Sequence, residues 1–109
     1  MHSRTHEALP WIDAQALIEQ VAGAAADMAS MGFAQPRFFA YPYGEENSTV
    51  QRTAAAAGYS AAFGLYPDFC YRMMDAMALP RVEIERRDRG WRFALKTRFP
   101  RLGSLLAKW

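Results

Sequence analysis

The sequence has little of what disulfide-bonded or membrane-spanning proteins are built from. It holds one cysteine, Cys70, in 109 residues, which excludes an internal disulfide and any zinc site made of several cysteines. No apolar run approaches the ~20 residues that span a bilayer. Residues 1–7 also lack the apolar core of a signal peptide. As written, the sequence predicts a soluble, cytoplasmic chain with one small domain.

What the sequence does contain is typical of a globular protein, with 51% hydrophobic, 14% aromatic and 22% charged residues. Its charge is uneven: residues 1–85 hold five Lys or Arg against ten Asp or Glu, whereas residues 86–109 hold eight against one. We therefore predict a main domain over 1–85 and a basic, aromatic, helical tail over 86–109. The tail is either a solvated face or a surface for an acidic polymer or an anionic membrane.

Helices alternate with short apolar strands along the main domain. Asp13 is a good cap for a first helix that Gly32 would end. Ser48 would cap a second helix over residues 49–57, ended by Gly58. Strands are predicted over residues 38–41, 59–63 and 79–84, and short or tail helices over 71–77, 91–97 and 102–109. This order predicts an α/β fold with a parallel sheet.

His2 and His6, the two histidines of the sequence, stand four residues apart. In helical or turn geometry, side chains at this spacing lie on one face and can converge on one metal ion. Glu7, Asp13 and Cys70 are candidates for a third ligand, and the spacing favours none of them. The pair by itself is equally compatible with no metal.

Four segments in order carry a resemblance to a known family. His-Ser-Arg-Thr-His over residues 2–6 resembles the H-[S/T]-x-x-H metal motif of polysaccharide deacetylases, the NodB-like carbohydrate esterases. Residues 39–44 (F-A-Y-P-Y-G), 57–63 (A-G-Y-S-A-A-F) and 79–84 (L-P-R-V-E-I) resemble three later motifs of that family. The likeness runs over about residues 2–84 and implies the C-terminal half of such a catalytic domain.

The resemblance implies a fold, a reaction and a set of site residues. The fold would be a partial, distorted (β/α) barrel, and the reaction would remove acetyl groups from polymers of N-acetylated sugars. His2 and His6 would bind a divalent metal, most commonly zinc in this family. The backbone N–H of Tyr43 would stabilise the oxyanion, unless this aromatic only packs at a turn. Tyr41, Pro42 and Arg81 would bind substrate, although Arg81 is also compatible with a structural ion pair.

The sequence also departs from the family pattern. The family's base and ligand aspartates precede the histidine motif, where this sequence has only Met1. Ala40 and Arg81 stand where many members have an arginine and a general-acid histidine. We therefore expect weak zinc binding and little activity from the chain alone.

Other interpretations stay open. The chain is alternatively a non-catalytic module that binds carbohydrate or a partner through the aromatic residues of its tail, which are Trp91, Phe93, Phe99 and Trp109. Asp68 and Asp75 either line a pocket or are solvated. The uncovered edges of a three-stranded parallel sheet predict self-association. No motif predicts a nucleic-acid partner.

Overall fold

The computed structural model describes residues 1–103 and residue 105. It is a mixed α/β chain in which two helices cover one face of a small parallel sheet. The elements in chain order are α1 (Ala14–Ser30), β1 (Phe38–Ala40), α2 (Ser48–Ala56), β2 (Ala61–Phe63), α3 (Trp91–Arg98) and α4 (Pro100–Gly103). Two 3-10 turns, Leu9–Trp11 and Pro42–Gly44, precede α1 and follow β1.

Helix α1 begins and ends where the sequence predicts. The Asp13 carboxylate accepts a hydrogen bond from the backbone N–H of Ala16 at 2.8 Å, which satisfies one of the unpaired donors of the first turn. At the other end Gly32 takes the left-handed conformation with φ of 85°. The N–H of Gly32 and of Phe33 then donate to the carbonyls of the last turn, which closes the helix as a Schellman motif.

Helix α2 begins one residue earlier than predicted because its cap is Asn47 rather than Ser48. The Asn47 side chain accepts from the backbone N–H of Val50 at 2.9 Å, so Ser48 becomes the first helical residue. The helix stops before Gly58, which has a φ of 94° that L side chains rarely adopt. Val50 and Ala54, four residues apart, form its buried face.

The predicted strands are shorter in the structure. β1 and β2 pair in parallel with Phe39 opposite Ala62, and each strand holds three residues. The third predicted strand, residues 79–84, is wrong as a strand, since Leu79 forms only an isolated parallel bridge to Phe63. Pro80 follows directly and has no N–H to donate, so the ladder does not continue.

The apolar core lies between the sheet and the two helices. Phe39 and Ala62 of the sheet and Val21 of α1 belong to the same buried cluster. Tyr59 packs its ring 5.1 Å from that of Phe39 and donates its hydroxyl to the Val21 carbonyl at 3.0 Å. Burial raises the pKa of Tyr59, because the ionised phenol would lose its solvation there.

After β2 the chain has few regular elements. Residues 71–77 form turns instead of the predicted helix, while the tail contains α3 and α4, separated at Phe99. The second tail helix, expected over residues 102–109, lies mostly outside the described residues. Lys96 of α3 is buried and donates to the Asp88 carboxylate at 2.6 Å and to the Glu83 carbonyl at 3.1 Å. This polar cluster fastens α3 to the segment before it.

The longest described helix, α1, has 17 residues. Over residues 1–103, no helix combines the length and the apolar composition that crossing a bilayer requires.

Candidate active site

A cavity of about 470 Å³ opens where the parallel strands end. The loops after β1, β2 and Leu79 reach it, as expected for the carboxyl ends of strands in an open α/β sheet. The N-terminal loop, residues 2–6, covers its other side. The lining residues come from all four segments: His2, His6, Tyr43, Leu65, Arg81, Val82, Glu83 and Ile84.

The His2 ring is held by the end of β1. Its Nδ1 lies 2.7 Å from the carbonyl oxygen of Ala40. Because a carbonyl only accepts, Nδ1 is the donor here, and in the neutral tautomer of the ring the lone pair is on Nε2. The backbone beside it is equally fixed, since the Met1 carbonyl accepts from the Ala40 N–H at 2.8 Å and the Met1 ammonium donates to the Phe38 carbonyl at 2.9 Å.

His6 completes a row of three rings. Its ring centroid is 4.5 Å from that of His2 and 4.6 Å from that of Tyr43, both edge to face. The loop turns back on itself to achieve this, with Ser3 and His6 in the left-handed region at φ of 64° and 61°. The Ser3 hydroxyl accepts from the His6 N–H at 3.0 Å, which fixes that turn.

Helix α1 positions the histidine loop through Gln20. The Gln20 carbonyl oxygen accepts from the backbone N–H groups of Arg4 and Thr5 at 3.1 and 2.9 Å. Its amide nitrogen donates to the Thr5 hydroxyl at 2.7 Å. Gln20 is buried, so these three bonds satisfy a side chain that would otherwise destabilise the fold.

An ion pair adds a second link between this loop and α1. The Arg4 guanidinium donates to both carboxylate oxygens of Asp27, at 2.7 and 2.8 Å, and to the Gly23 carbonyl at 3.2 Å. The hydrogen bond from Arg4 lowers the pKa of Asp27 below its ordinary value. Both side chains are substantially exposed, so the pair contributes orientation more than stability.

Tyr43 has a left-handed backbone conformation. It lies in the turn after β1 with φ of 61°, while the N–H groups of Gly44 and Glu45 donate to the Tyr41 and Pro42 carbonyls. Within residues 1–103 the N–H of Tyr43 itself has no acceptor. A backbone donor next to His6 is therefore available to a ligand.

Gly44 allows the two loops of the cavity to approach each other. A Cβ at this position would collide with the Leu65 side chain and lie 2.8 Å from the Leu65 backbone nitrogen. The φ of Gly44 is 68°, which also disfavours any larger residue. The contact keeps the β1 and β2 loops together at the edge of the cavity.

A family model described as polysaccharide deacetylase matches residues 1–62, more than half of the chain and the part that contains His2, His6 and Tyr43. The chain belongs to the polysaccharide deacetylase family. The predicted family resemblance is thereby confirmed.

A solved structure of a de-N-acetylase from Aggregatibacter actinomycetemcomitans is also similar to this deacetylase-family chain. The two share 19% sequence identity and superpose with a TM-score of 0.59. The similarity covers 71% of this chain and 29% of the other, so the chain spans under a third of that protein's length. The likeness supports a common fold. No curated protein gave a significant match to the chain.

Four of the predicted site residues of this family member meet at the cavity: His2, His6, Tyr43 and Arg81. Tyr41 and Pro42 do not line it, because both are buried below the turn. The Tyr41 hydroxyl donates to the Met77 carbonyl at 2.6 Å, and burial raises the pKa of this phenol. The geometry gives Tyr41 a packing role and offers no support for direct substrate contact.

The three candidates for a third metal ligand lie elsewhere. Asp13 caps α1, the Glu7 carboxylate accepts from Thr5 at 3.1 Å, and the Cys70 sulfur lies 3.9 Å from the Pro80 carbonyl. In the part of the chain that the structure describes, no three His, Cys, Asp or Glu side chains are grouped as a metal site. The deacetylase-family site thus offers two imidazoles, where a catalytic zinc site uses three protein ligands.

Asp68 and Asp75 also lie outside this cavity. Asp68 accepts from Arg101 at 2.7 Å, and this hydrogen bond lowers the pKa of its carboxyl group. Asp75 accepts from the Met77 backbone N–H at 2.9 Å in the turn that replaces the predicted helix. Both therefore have structural partners.

Several residues of the site were not predicted as site residues from the sequence. Leu65, Val82, Glu83 and Ile84 line the cavity, and Gln20 supports it from α1. The apolar-polar alternation of residues 82–84 was readable, but it predicted a strand and not a cavity wall. The supporting role of Gln20 was not predicted, because a polar residue in an amphipathic helix ordinarily faces solvent.

Proposed function

We propose that this chain carries part of the active site of a metal-dependent deacetylase that hydrolyses N-acetyl groups on polymers of N-acetylhexosamine. The observation that supports this most is the meeting of His2, His6 and the free N–H of Tyr43 in one cavity at the strand ends. We further propose that the β1–β2 sheet with its covering helices is an arc of a distorted (β/α) barrel.

His2 and His6 would hold a divalent metal, with zinc as the favoured ion for imidazole ligands. The proton on His2 Nδ1 is engaged by Ala40, so Nε2 is the nitrogen available as a ligand. When bound, the metal would supply Lewis-acid polarisation of the acetamide and a more acidic water.

The Tyr43 N–H would act on the acetamide carbonyl oxygen, alongside the metal. The acetamide carbonyl gains negative charge as it becomes tetrahedral, and a fixed backbone donor stabilises that charge without reorganising. The left-handed turn at Tyr43 keeps this donor unpaired before substrate arrives. The His6 ring packs against the Tyr43 ring, which links the donor to the metal ligands.

The same cavity lacks a full set of acid–base groups. Among its lining residues Glu83 is the single carboxylate, and two imidazoles are the remaining titratable donors for a metal. General acid–base catalysis is worth roughly 10²–10⁴-fold in rate. We therefore propose weak metal binding and little activity when the chain is assayed alone.

Zinc titration by calorimetry tests the histidine pair. We expect weak zinc binding, with a Kd of about 10 µM, that is lost in the His2→Ala/His6→Ala double variant. The control Cys70→Ala should bind like the parent chain, because Cys70 does not line the cavity that contains the histidines. Equal zinc binding in the parent and the double variant would contradict the proposal.

Acetate release tests the reaction. N-acetylglucosamine oligomers with zinc should give a rate near background from the chain alone. We expect activity to rise when a family segment carrying the aspartate motif is supplied in trans. A rise that survives in the His2→Ala/His6→Ala variant would show that the histidines do not take part.

Exposed aromatic rings on α3 favour a second function, a non-catalytic carbohydrate- or partner-binding surface. Trp91 is 67% and Phe93 48% exposed, and the Arg92 guanidinium lies 5.6 Å from the Trp91 ring centroid. Aromatic faces of this kind stack on sugar rings. Chitin-oligomer binding without acetate release, lost in Trp91→Ala, would support this function over catalysis.

Self-association is a further proposal about partners. The sheet has two strands, and Phe38 on its uncovered face is 52% exposed. Parallel sheets are ordinarily covered on both faces. Sedimentation velocity should therefore show dimers or larger species at micromolar concentration, whereas a monomer at all concentrations would contradict this.

A further inference from the structure

Arg81 is held in the cavity wall by two hydrogen bonds. Its backbone N–H donates to the Tyr66 carbonyl and its Nε donates to the Gly64 carbonyl, each at 3.1 Å. These two bonds fix the stem and the plane of the group. The two terminal nitrogens make no hydrogen bond within residues 1–103.

Among the described residues, no carboxylate forms an ion pair with Arg81. Arg81 is half-buried and lines the cavity, yet none of the ion pairs of the described chain includes it. Glu83 lines the same cavity but lies beyond ion-pair distance. Because an arginine stays charged at all ordinary pH values, a partly desolvated guanidinium of this kind favours an anionic partner.

The free edge of the guanidinium defines the chemistry of that partner. Two parallel N–H donors on one planar group match the two oxygens of a carboxylate in a bidentate pair. We propose that Arg81 forms a carboxylate-binding subsite in this cavity. Its occupant is a carboxylate in the space shared with His2, His6 and Tyr43.

Two sources can supply a carboxylate there. One is the acetate that deacetylation releases, in which case the subsite holds the product; this source rests on the proposed function. The other is a uronate unit of an acidic N-acetylated polymer, in which case the subsite selects the substrate. Acetate and glucuronate are therefore the probes, with acetamide and glucose as their uncharged counterparts.

The test is an NMR titration of the ¹⁵N-labelled chain after bound metal has been removed on a chelating resin, so that neither metal nor a soluble chelator contributes. We expect acetate or glucuronate to shift the amide signals of Gly64, Leu65 and Tyr43, and acetamide and glucose to leave them unchanged. Acetate binding as tight as glucuronate binding identifies the product as the occupant. Tighter glucuronate binding identifies an acidic substrate.

Variants separate Arg81 from its neighbours. Arg81→Gln should weaken binding at least tenfold, about the value of a charge-assisted hydrogen bond, and Arg81→Lys should weaken it less. Arg72→Gln, an exposed arginine away from the cavity, is the matched control and should have no effect. Because the titration contains no metal, carboxylate binding by the parent chain is measured independently of the zinc test.

Three results would overturn the subsite. They are equal binding of acetate and acetamide, shifts confined to residues away from the cavity, and equal affinity in the parent and Arg81→Gln. The amide shifts of the parent chain keep the test decisive even if the Arg81 variants fold poorly.

Discussion

The two parts of the described chain are held together by different forces. All the buried apolar side chains of the described core, from Leu9 at one end to Ala62 at the other, belong to the N-terminal part, residues 1–63. In the C-terminal part, residues 64–103, the most buried side chains include the charged pair Asp88 and Lys96. The first part is stabilised by apolar burial, which is non-directional, and the second by polar contacts that need correct geometry.

The cavity lies between these two parts and depends on both. His2, His6 and Tyr43 come from the part with the apolar core, whereas Arg81 and Glu83 come from the polar part. The Glu83 carbonyl accepts from Lys96, so the wall that carries Arg81 is tied to α3. Because they belong to different parts, the histidine side and the Arg81 side of the cavity should respond to different perturbations.

The largest effect is expected from the apolar core. Phe39 is fully buried between the Tyr41 and Tyr59 rings. Phe39→Ala should lower the free energy of unfolding by about 3–5 kcal/mol in urea titration, because it leaves a cavity. Phe93→Ala, at a half-exposed ring of α3, should cost less than about 1 kcal/mol. Similar losses for both variants would remove the contrast between the two parts.

A local loss of stability is expected when Lys96, the buried lysine of α3, is replaced. Lys96→Met should lower the local stability of α3 by about 1–3 kcal/mol, since Asp88 loses its partner at 2.6 Å and keeps the longer contact to Arg92 at 3.5 Å. Hydrogen exchange should then speed up in α3 and in the amides around Glu83, while β1 and β2 stay protected. Faster exchange of β1 and β2 to the same extent would show that the two parts unfold as one.

The pH dependence of the same cluster has a definite sign. The hydrogen bond from Lys96, followed by that from the Glu85 N–H, lowers the pKa of Asp88. The ionised carboxylate is therefore the form that the fold favours. Its contribution is complete above the ordinary aspartate value near 3.9 and is lost as the pH falls through the lowered folded value. Exchange in α3 between pH 7 and pH 2 should show this loss, and Asp88→Asn should abolish it.

A smaller effect is expected where the two parts meet at Gly44. Gly44→Ala would force a Cβ against Leu65 in a left-handed conformation. We expect a loss of about 1–3 kcal/mol in urea unfolding. Gly32→Ala is the control, because its φ is also positive but nothing lies within 4 Å of the added Cβ. Equal losses would show that backbone strain alone acts and that the close approach adds nothing.

A stability change of similar size is expected at Gln20, together with a change in zinc affinity. Gln20→Ala removes three hydrogen bonds to the histidine loop and should cost about 1–3 kcal/mol. Zinc affinity should fall with it, since the loop loses its link to α1. Gln15→Ala, on the exposed side of the same helix, should alter neither quantity. Unchanged zinc affinity in Gln20→Ala would mean that the loop is positioned by other contacts.

The sequence predicted the helices better than the strands, for local physical reasons. Caps such as Asp13 and Gly32 act within one turn, so a short window of sequence contains their whole effect. Asn47 was missed only because Ser48, one residue on, is an equally good cap by type. The strand over residues 79–84 depended on a partner far along the chain, and Pro80 limited that pairing to one bridge.

The site residues were also predicted only in part. The family resemblance named His2, His6, Tyr43 and Arg81 as site residues, and the structure places all four at one cavity. A family motif contains information about long-range contacts, whereas hydrophobic periodicity describes only local structure. Tyr41 and Pro42 belong to the same motif, yet the left-handed turn at Tyr43 directs them to the core. A motif names the residues of a loop, and only the backbone conformation separates those that face the ligand from those that face the core.

One hydrogen bond described above, from His2 Nδ1 to the Ala40 carbonyl, joins a side chain of the site to the last residue of β1. The ring therefore cannot turn freely while the strand is paired. Fraying of that strand end and reorientation of the imidazole are a single event, so the ring should keep its position for as long as the sheet stays closed. The free energy needed to disorder the His2 side of the site is then the free energy of opening the sheet, which is larger than that of opening a surface loop.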